Sequence, residues 1–456
     1  MSAVLTDFAD IRAIPYVECE SAPLDLLDAD LVVPLVSGES VRYANFDYAA
    51  SAPALRAVRD AVEDLLPWYA SVHRGAGLPS QASTGAYEAA RAAVARFVGA
   101  RRGTATIFTR NTTDAMNLLG HALPRPTTVV VFETEHHATL LPWRGHRVIR
   151  LPAPESPAAA VSAVAAALRE SPEGPRLVAV TGASNVTGEC WPVAELARVA
   201  HAAGARIVVD AAQLAPHRPV DMAALNVDYL ALSGHKLYAP FGAGALVGRA
   251  DWLRAAPPYL VGGGATRQVS AAAVSWAELP DRHEAGTPNV VGAVALAAAC
   301  GALRRADRDV LAAREEALLA RLRRGLAGVP GLRELALWEP DAPRVGITSF
   351  VLDGWDGRWL AAALSAEYGI GVRAGAFCAH PFVRRLTGGL TGCAGNAVPV
   401  RASIGLVTTE SDVDRLVAAL DQLARRGARW SYVDRDGEIV PDPDPRPRHN
   451  IADTWF

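Results

Sequence analysis

The sequence predicts an α/β fold in which helices cover both faces of a parallel or mostly parallel sheet, followed by a smaller second domain. Short runs rich in Val, Ile and Thr alternate with helix-like Ala/Leu/Arg segments through the first two thirds of the chain. This alternation is typical of parallel sheets, which bind ligands at the carboxyl ends of their strands. The length of 456 residues is enough for more than one domain.

The elements follow in order along a predicted large domain, residues 43–303. Residues 1–42 contain no long periodic segment, and we interpret them as an irregular N-terminal arm. A helix is predicted from Leu55, because apolar residues then recur at helical spacing behind Pro53. The predicted strands are Thr104–Arg110, Thr127–Glu133, Arg176–Gly182, Ala205–Asp210 and Val227–Leu232.

A smaller α+β domain is predicted over residues 304–430. It begins with a helix whose leucines are spaced for one buried face, and it continues with a strand at Val345–Leu352 and a final helix near Asp412–Arg425. Residues 431–456 are rich in Pro and Asp. Because this proline density excludes a helix, we interpret the segment as a tail, either solvated or lying on a neighbour.

Composition excludes several classes of protein. Half of the residues are apolar, a fifth are charged, and the formal net charge is −3. These values argue against a disordered chain, a disulfide scaffold and a polybasic nucleic-acid-binding protein. The longest nearly uncharged apolar stretch, residues 290–303, is shorter than the roughly 20 residues that a membrane span needs. The N-terminus lacks a basic leader followed by an apolar block, so we expect a cytoplasmic protein.

The five cysteines indicate reduced thiols rather than a metal centre. Their number is odd, they are scattered, and no two form a Cys-x-x-Cys pair, so we predict no metal site. The cysteines are Cys19, Cys190, Cys300, Cys378 and Cys393.

The chain contains one lysine, Lys236, among 45 basic residues. Arginine can replace a surface lysine at little cost, but it cannot replace an amine that must lose a proton and attack a carbonyl. Lys236 is therefore a candidate for covalent chemistry. The alternative is that it is a chance survivor on the surface.

Lys236 and Asp210 together point to an aldehyde cofactor. Lys236 directly follows one predicted strand, and Asp210 ends the strand before it. Pyridoxal 5'-phosphate requires a lysine for its aldehyde and an acid that keeps its ring nitrogen protonated. Asp210 alone could equally be a helix cap or a metal ligand.

A phosphate cradle is predicted where the strand at residues 104–109 meets the next helix. The loop Arg110-Asn111-Thr112-Thr113-Asp114 brings backbone N–H groups and the hydroxyls of Thr112 and Thr113 toward one anion site. Ser233 and His235 could supply further donors. The alternative is an ordinary helix N-cap.

Several motifs resemble class V aminotransferase-fold enzymes, and most closely their cysteine desulfurase and selenocysteine lyase branch. The resemblance covers residues 43–425. It implies the fold type I of pyridoxal-phosphate enzymes, with a mostly parallel seven-stranded sheet, and a homodimer. The motifs are Val72-His73-Arg74-Gly75, Glu135-His136-His137-Ala138, Ser184-Asn185-Val186-Thr187-Gly188, Asp210-Ala211-Ala212-Gln213, Ser233-Gly234-His235-Lys236-Leu237-Tyr238 and Glu284-Ala285-Gly286-Thr287-Pro288-Asn289.

The resemblance implies a role for each matching residue at the cofactor. Lys236 binds the aldehyde and carries out catalysis, Asp210 pairs with the ring nitrogen, and Gln213 with the ring hydroxyl. His136 stacks on the ring and is a catalytic residue, unless it is merely a capped loop histidine. The phosphate is assigned to Thr113, Ser233 and His235, with Thr287 from the partner subunit, and Thr112 is added from the predicted cradle.

The substrate carboxylate is assigned to Asn185 and Arg401, because a planar guanidinium matches a carboxylate. Asn185 is also counted with the cofactor ligands. Arg74 and Arg373 are placed with the substrate-binding residues. The alternative for Arg401 is a surface ion pair of little energetic value.

The sulfur-handling loop departs from this branch. Its enzymes carry a nucleophilic cysteine in Arg-x-Gly-His-His-Cys-Ala, whereas this loop reads Arg373-Ala374-Gly375-Ala376-Phe377-Cys378-Ala379-His380. Because these histidines are missing, Arg373, His380 or the substrate would have to favour the thiolate of Cys378 instead. Residues 379–400 also form a longer, glycine-containing stretch, which we interpret as a mobile insertion.

The preferred hypothesis is desulfuration of L-cysteine, or a related sulfur or selenium amino acid, to alanine, with the sulfur passed to Cys378 and then to an acceptor protein. One alternative is a C–S lyase, epimerase or cyclase acting on another amino acid, with Cys378 idle. Another is a catalytically silent subunit that serves as a binding platform, against which the retained lysine argues.

Overall fold

The structure is a computed structural model that describes residues 24–388, 391–392 and 395–447. Most of the predicted arm, residues 1–23, lies outside this range, as does the end of the tail, residues 448–456. Cys19, Cys393 and part of the 379–400 stretch also fall outside it.

The strands are short, and most of them belong to two sheets. They are β1 Val32–Pro34, β2 Ser40–Arg42, β3 Ala44–Asn45, β4 Thr104–Thr109, β5 Thr128–Phe132, β6 Arg147–Leu151, β7 Arg176–Thr181, β8 Arg206–Asp210, β9 Tyr229–Ser233, β10 Gly244–Arg249, β11 Thr266–Val269, β12 Val274–Trp276, β13 Leu332–Leu335, β14 Ile347–Leu352, β15 Ile370–Gly371, β16 Arg373–Ala374, β17 Thr391–Gly392, β18 Gly395–Asn396, β19 Val400–Ser403, β20 Tyr432–Arg435 and β21 Glu438–Pro441.

The α-helices lie between the strands, and single 3-10 turns occur at Leu66–Trp68, Gly234–Lys236 and Asp281–His283. The helices are α1 Arg56–Leu65, α2 Leu78–Phe97, α3 Thr112–Ala122, α4 His137–Leu140, α5 Pro157–Glu170, α6 Val193–Ala202, α7 Leu214–His217, α8 Ala250–Ala255, α9 Val290–Arg305, α10 Arg308–Ala327, α11 Gly357–Tyr368, α12 His380–Thr387 and α13 Glu410–Arg426.

A seven-stranded sheet forms the centre of the molecule, with the strand order β4-β10-β9-β8-β7-β5-β6. All neighbouring strands from β9 to β6 are parallel, and β10 alone runs antiparallel to both of its neighbours. The predicted α/β class and its mostly parallel seven-stranded sheet are therefore confirmed.

Hydrophobic cores cover both faces of this sheet, because side chains alternate along each strand. Val178 and Val180 of β7 belong to one core, whereas Leu177 and Ala179 belong to the other. Strands buried on both faces read as continuous apolar runs, which explains why the sequence reveals them. Their carboxyl ends lie along one edge, where the predicted site residues follow.

The second sheet has the order β13-β14-β19-β16 and is antiparallel. Helices α10, α11 and α13 pack with it around a separate core. Ala44 and Phe46, from near the N-terminus, also belong to this core, and β3 pairs with β15. The C-terminal core is thus built from two distant parts of the sequence.

Several elements differ from the predictions. Residues 24–42 are not wholly irregular, because β1 and β2 form a hairpin and Leu26 is buried in the same core as Val178 and Val180 of the central sheet. The predicted tail contains a second hairpin, β20–β21, and the 379–400 stretch contains helix α12 and the pair β17–β18. The mobility of this stretch and the domain boundaries stay predictions. No helix in the described part of the chain is long and apolar enough to cross a membrane.

Candidate active site

Asp210 and Lys236 meet at the carboxyl edge of the central sheet. Asp210 is the last residue of β8, and Lys236 ends the 3-10 turn that follows β9, the parallel neighbour of β8. The turn needs Gly234, because a Cβ there would lie 2.6 Å from the carbonyl oxygen of Ala243. The local sequence therefore fixes the lysine directly at the strand end.

Lys236 is a mostly buried amine whose pKa is lowered from 10.5 to about 8. Burial is the main cause, since desolvation disfavours the charged ammonium. The Arg401 cation lowers the pKa further, whereas the carboxylate of Asp210 and the thiolate form of Cys378 raise it. The amine therefore reaches its neutral, nucleophilic form near physiological pH.

The Asp210 carboxylate is buried and oriented by two hydrogen bonds. Thr139 donates its hydroxyl to Oδ2 over 2.9 Å, and the backbone N–H of Ala212 donates to Oδ1 over 2.9 Å. The helix that follows begins only at Leu214, so Asp210 is not its N-cap. The carboxylate is thus held rigidly at the strand end.

His136 lies beside this pair as a neutral imidazole. Burial, followed by the nearby charge of Lys236, lowers its pKa to about 4. Its Nδ1 accepts the backbone N–H of Ala138 over 3.0 Å, so it does cap the short helix α4. A neutral, mostly buried ring is compatible with stacking on a planar ligand as well as with capping.

The predicted cradle lies where α3 begins. Asn111 is the N-cap and accepts the Asp114 N–H over 3.0 Å. Thr112 donates its backbone N–H to the Ser233 hydroxyl over 2.8 Å, and the two hydroxyls are 2.9 Å apart. The start of helix α3 and the end of β9 therefore meet at the hydroxyls of Thr112 and Ser233. Thr113 is exposed at the start of the helix.

His235 and Gln213 flank the lysine from two other directions. Burial, and then Lys236, lowers the pKa of His235 to about 4, so its ring is neutral. Gln213 donates its Nε2 to the carbonyl of Ala49 over 2.8 Å. That amide group is therefore already oriented by the backbone.

Arg401, on β19, is buried with its side chain 4% exposed and is not a surface ion pair. It donates to the backbone carbonyl of Asn185 over 3.0 Å and to Oδ1 of Asp47 over 3.2 Å. Its Nε is buried and has no hydrogen-bond partner among the described residues. Burial lowers its pKa to about 10, against the opposing effect of Asp47. The guanidinium therefore retains an unused donor inside the site.

Asn185 and Arg373 both lie near Arg401, and their predicted substrate roles stay predictions. The Asn185 amide donates to the carbonyl oxygen of Phe377 over 2.8 Å. Asn185 therefore holds the loop of residues 373–380 that carries Cys378, here called the cysteine loop. Arg373 lies opposite Arg401 in the β16–β19 pair, and its charge, with that of Arg401, lowers the pKa of Asp47 against the larger raising effect of burial. Arg373 itself is exposed.

Cys378 is an exposed free thiol in a strained turn. Phe377 and Cys378 have φ values of +50° and +54°, in the left-handed region that costs a non-glycine residue about 1–3 kcal/mol. A negative charge on Cys378 would raise the pKa of both Lys236 and Arg401. The Phe377 ring lies 5.0 Å from the Arg401 guanidinium carbon.

Arg74 and Thr287 do not join this site within one chain. Both are exposed, and both line a separate cavity of ≈ 460 Å³ whose wall does not include Lys236. Arg267 and Glu278 also line this cavity. The assignment of Thr287 to the site of a partner subunit stays a prediction.

Sequence reasoning missed residues that hold the site residues. These are Thr139, which binds Asp210, and Asp47, which binds Arg401 from 354 positions away. His137 was inside a recognised motif, but nothing in its spacing shows that it contacts Cys378. No cluster of three or more His, Cys, Asp or Glu side chains suited to a metal ion occurs in the described ranges.

Comparison with known proteins identifies the family of this chain. The sequence profile of the family "Aminotransferase class-V" matches residues 44–416. The chain belongs to this family. The class-V assignment confirms the family resemblance of the motifs and accounts for the central sheet.

Similar proteins of this class are cysteine desulfurases. A cysteine desulfurase from Dickeya dadantii is 37% identical over 419 residues, covering 89% of this chain and 98% of the relative. A probable cysteine desulfurase from Vibrio cholerae is 35% identical and covers 85% of this chain and 94% of the relative.

Two solved structures are similar to the class-V chain. The crystal structure of the cysteine desulfurase CsdA (S-sulfonic acid) from Escherichia coli has a TM-score of 0.72 and 34% identity, covering 83% of this chain and 94% of the other. The apo structure of a cysteine desulfurase from Thermococcus onnurineus has a TM-score of 0.75 and 30% identity, covering 89% and 99%.

Proposed function

We propose that this protein is a pyridoxal-phosphate-dependent cysteine desulfurase that converts L-cysteine to alanine and receives the sulfur on Cys378. The observation that carries the proposal is the exposed Cys378 thiol beside Phe377, whose ring lies 5.0 Å from the Arg401 guanidinium carbon. A Cys378 thiolate would raise the pKa of Lys236 and of Arg401, the groups expected to move the α-proton and to bind the carboxylate. The similarity to proteins named cysteine desulfurase supports it.

The residues present fit pyridoxal 5'-phosphate. Lys236 is a buried amine of lowered pKa, as an aldehyde requires, and Asp210 is a rigidly oriented carboxylate suited to a pyridinium nitrogen. Lys236 would hold the aldehyde carbon, His136 the ring face, and Thr112, Thr113 and Ser233 the phosphate. When bound, the cofactor supplies an electron sink for the substrate's α-carbon.

The chain's own residues then have separate tasks. Arg401 binds the substrate carboxylate through its unused Nε–H and fixes the α-carbon near Lys236. Lys236, as a neutral amine, takes the α-proton and returns it. Phe377 covers one side of the guanidinium and limits its exposure to water.

Cys378 carries out the sulfur transfer. Its thiolate attacks the substrate sulfur, so that a sulfur–sulfur bond forms while the bond from that sulfur to the β-carbon breaks. The electron pair of the broken bond stays with the carbon fragment, which takes up protons and leaves as alanine. Cys378 retains the sulfur as a persulfide, and its exposure makes that persulfide accessible to an acceptor protein.

The decisive experiment uses Cys378→Ala and, as a matched control, Cys190→Ala. The cofactor-loaded wild type and Cys190→Ala should form alanine from L-cysteine and gain one sulfur atom on Cys378, measured by peptide mass spectrometry. Cys378→Ala should keep the visible absorbance of the cofactor and lose persulfide formation. Alanine and sulfide release from Cys378→Ala at the wild-type rate would overturn the proposal.

A different class V reaction is favoured by one observation, the replacement of the expected loop histidines by Ala376 and Phe377. In that case the enzyme would be a C–S lyase, epimerase or cyclase, and Cys378 would be idle. Normal turnover of a different amino acid by Cys378→Ala would select this alternative.

We also propose that the site is completed in a homodimer. Arg74 and Thr287 line an outward cavity, and exposed apolar residues Val261 and Val269 lie in the same part of the chain as its lining. Mixing Lys236→Ala chains with Thr287→Val chains should give more activity than either variant alone. In a mixed dimer, one site combines the Lys236 of one chain with the Thr287 of the other and is therefore intact. No recovery after mixing, with exchange shown by mass, would contradict this arrangement. The cytoplasmic location stays a prediction from the sequence.

A further inference from the structure

His137 contacts the cysteine loop on both sides of Cys378. Its backbone N–H donates to the carbonyl oxygen of Cys378 over 2.8 Å. Its ring Nε2 lies 3.4 Å from the backbone N–H of His380, which donates to it. A single residue thus binds the Cys378-Ala379-His380 tripeptide at its start and at its end.

The ring of His137 is in the state that this second contact requires. Because the backbone N–H of His380 donates to Nε2, this nitrogen acts as the unprotonated acceptor of the ring. Burial and the neighbouring His380 lower the pKa of His137, which favours this neutral form. The His137 and His380 rings also meet edge to face, with centroids 4.7 Å apart and an angle of 82°. The contact between the two residues therefore combines a hydrogen bond with ring packing.

The turn that these contacts hold is conformationally unfavourable. Phe377 and Cys378 are consecutive residues with positive φ, and such a turn persists only where its surroundings over-determine it. Asn185 holds the carbonyl of Phe377, and His137 holds the next carbonyl and the N–H of His380. The two loop positions where histidines were expected, Ala376 and Phe377, provide no imidazole of their own.

We propose that His137 is a positioning residue that holds Cys378 in its left-handed conformation, with the thiol toward Lys236 and Arg401. His380, two residues after the nucleophile, is the partner through which the His137 ring acts. The role in sulfur transfer rests on the proposed function, whereas the role in holding the loop does not.

The variants distinguish the hydrogen bond that the ring nitrogen of His137 accepts from the packing of the ring against His380. His137→Phe keeps an aromatic ring and the backbone N–H but removes the acceptor, and His137→Gln places an amide oxygen at a similar reach. His380→Ala keeps the backbone N–H and removes the ring packing. His121→Phe is the control, because that histidine contacts Pro257 and Tyr259 away from the loop.

The first measurement is hydrogen–deuterium exchange at the amide of His380 in protein without substrate. Pro381 has no N–H, and the Ala379 amide is bonded to Ala376, which makes it an internal reference. Loss of one weak hydrogen bond should speed exchange at His380 about threefold to tenfold in His137→Phe. His137→Gln and His121→Phe should exchange at the wild-type rate.

The second measurement is single-turnover persulfide formation on Cys378 from L-cysteine, together with the KM for L-cysteine. His137→Phe should slow sulfur transfer about tenfold or more with an unchanged KM and cofactor absorbance, His380→Ala should slow it less, and His137→Gln should recover most of the rate. Wild-type exchange and wild-type transfer in His137→Phe would overturn the positioning role. If wild type forms no persulfide but His137→Phe still speeds exchange, the proposed function fails and the role in holding the loop stands.

Discussion

The protonation of Lys236 offers a direct test of the site's electrostatics, because this amine is the chain's one lysine. Its pKa is lowered from 10.5 to about 8. At pH 7 this change makes the neutral amine about 300-fold more abundant than it would be for an exposed lysine. The rate of acylation by a small anhydride should therefore rise with pH and level off above a midpoint near pH 8.

The neighbouring charges predict opposite shifts of that midpoint. Asp210 raises the pKa of Lys236, so Asp210→Asn should move the midpoint below that of wild type. Arg401 lowers the same pKa, so Arg401→Gln should move the midpoint upward. A pair of variants that shift in opposite directions cannot be explained by general loosening of the fold.

The assay uses protein freed of cofactor and peptide mass spectrometry of the Lys236 peptide. N-acetyl-lysine amide in the same solution corrects for the pH dependence of the reagent. A midpoint near 10, or shifts of both variants in one direction, would refute the argument that burial, opposed by Asp210 and reinforced by Arg401, sets the pKa of Lys236.

Three further predictions concern single residues. Lys236→Ala should abolish turnover and covalent cofactor retention after borohydride reduction, while circular dichroism stays that of wild type, because no other lysine can replace the amine; substantial remaining activity would exclude this role. Asp210→Asn should lower turnover by orders of magnitude with cofactor still bound, as seen by absorbance, because a neutral amide does not keep a pyridinium protonated; activity within a few-fold of wild type would make Asp210 structural only. Glu189→Gln should reduce the free energy of unfolding by about 3–5 kcal/mol in urea titrations, because it leaves Arg344, 3.1 Å away and buried, without its counter-charge; an unchanged midpoint would mean that the pair contributes little.

The sequence predicts the centre of the site better than its periphery. Asp210 and Lys236 each follow a buried apolar run, and parallel strands end at one edge, so their proximity follows from topology alone. The contact of Asp47 with Arg401 joins positions 354 residues apart and has no local signal. Likewise, no pattern near His137 shows that a loop more than two hundred residues later packs on it.

The elements that the sequence analysis missed have identifiable causes. Strand β10 contains Gly244 and Gly248, which weaken a strand pattern. A Cβ on Gly248 would lie 2.2 Å from the Tyr229 ring, so the glycine is required by packing. The hairpin β20–β21 has a recognisable turn at Asp436 and Gly437, two residues with positive φ. The prolines that follow this turn favour a tail instead, and the strands are therefore not predicted.

The contribution of the N-terminal segment to the C-terminal core has a consequence for the order of folding during synthesis. Asp47 leaves the ribosome 354 residues before its partner Arg401, and β3 precedes its pairing strand β15 by a similar interval. All strands of the central sheet have been synthesised by Arg249, so this sheet can form first. The pairing of the N-terminal segment with β15 and its contact with β19 require residues that are synthesised more than 100 positions later. Arg401, which we propose binds the substrate carboxylate, is therefore among the last residues of the site to reach its position, and a nascent chain that has not reached β19 contains Lys236 without this arginine.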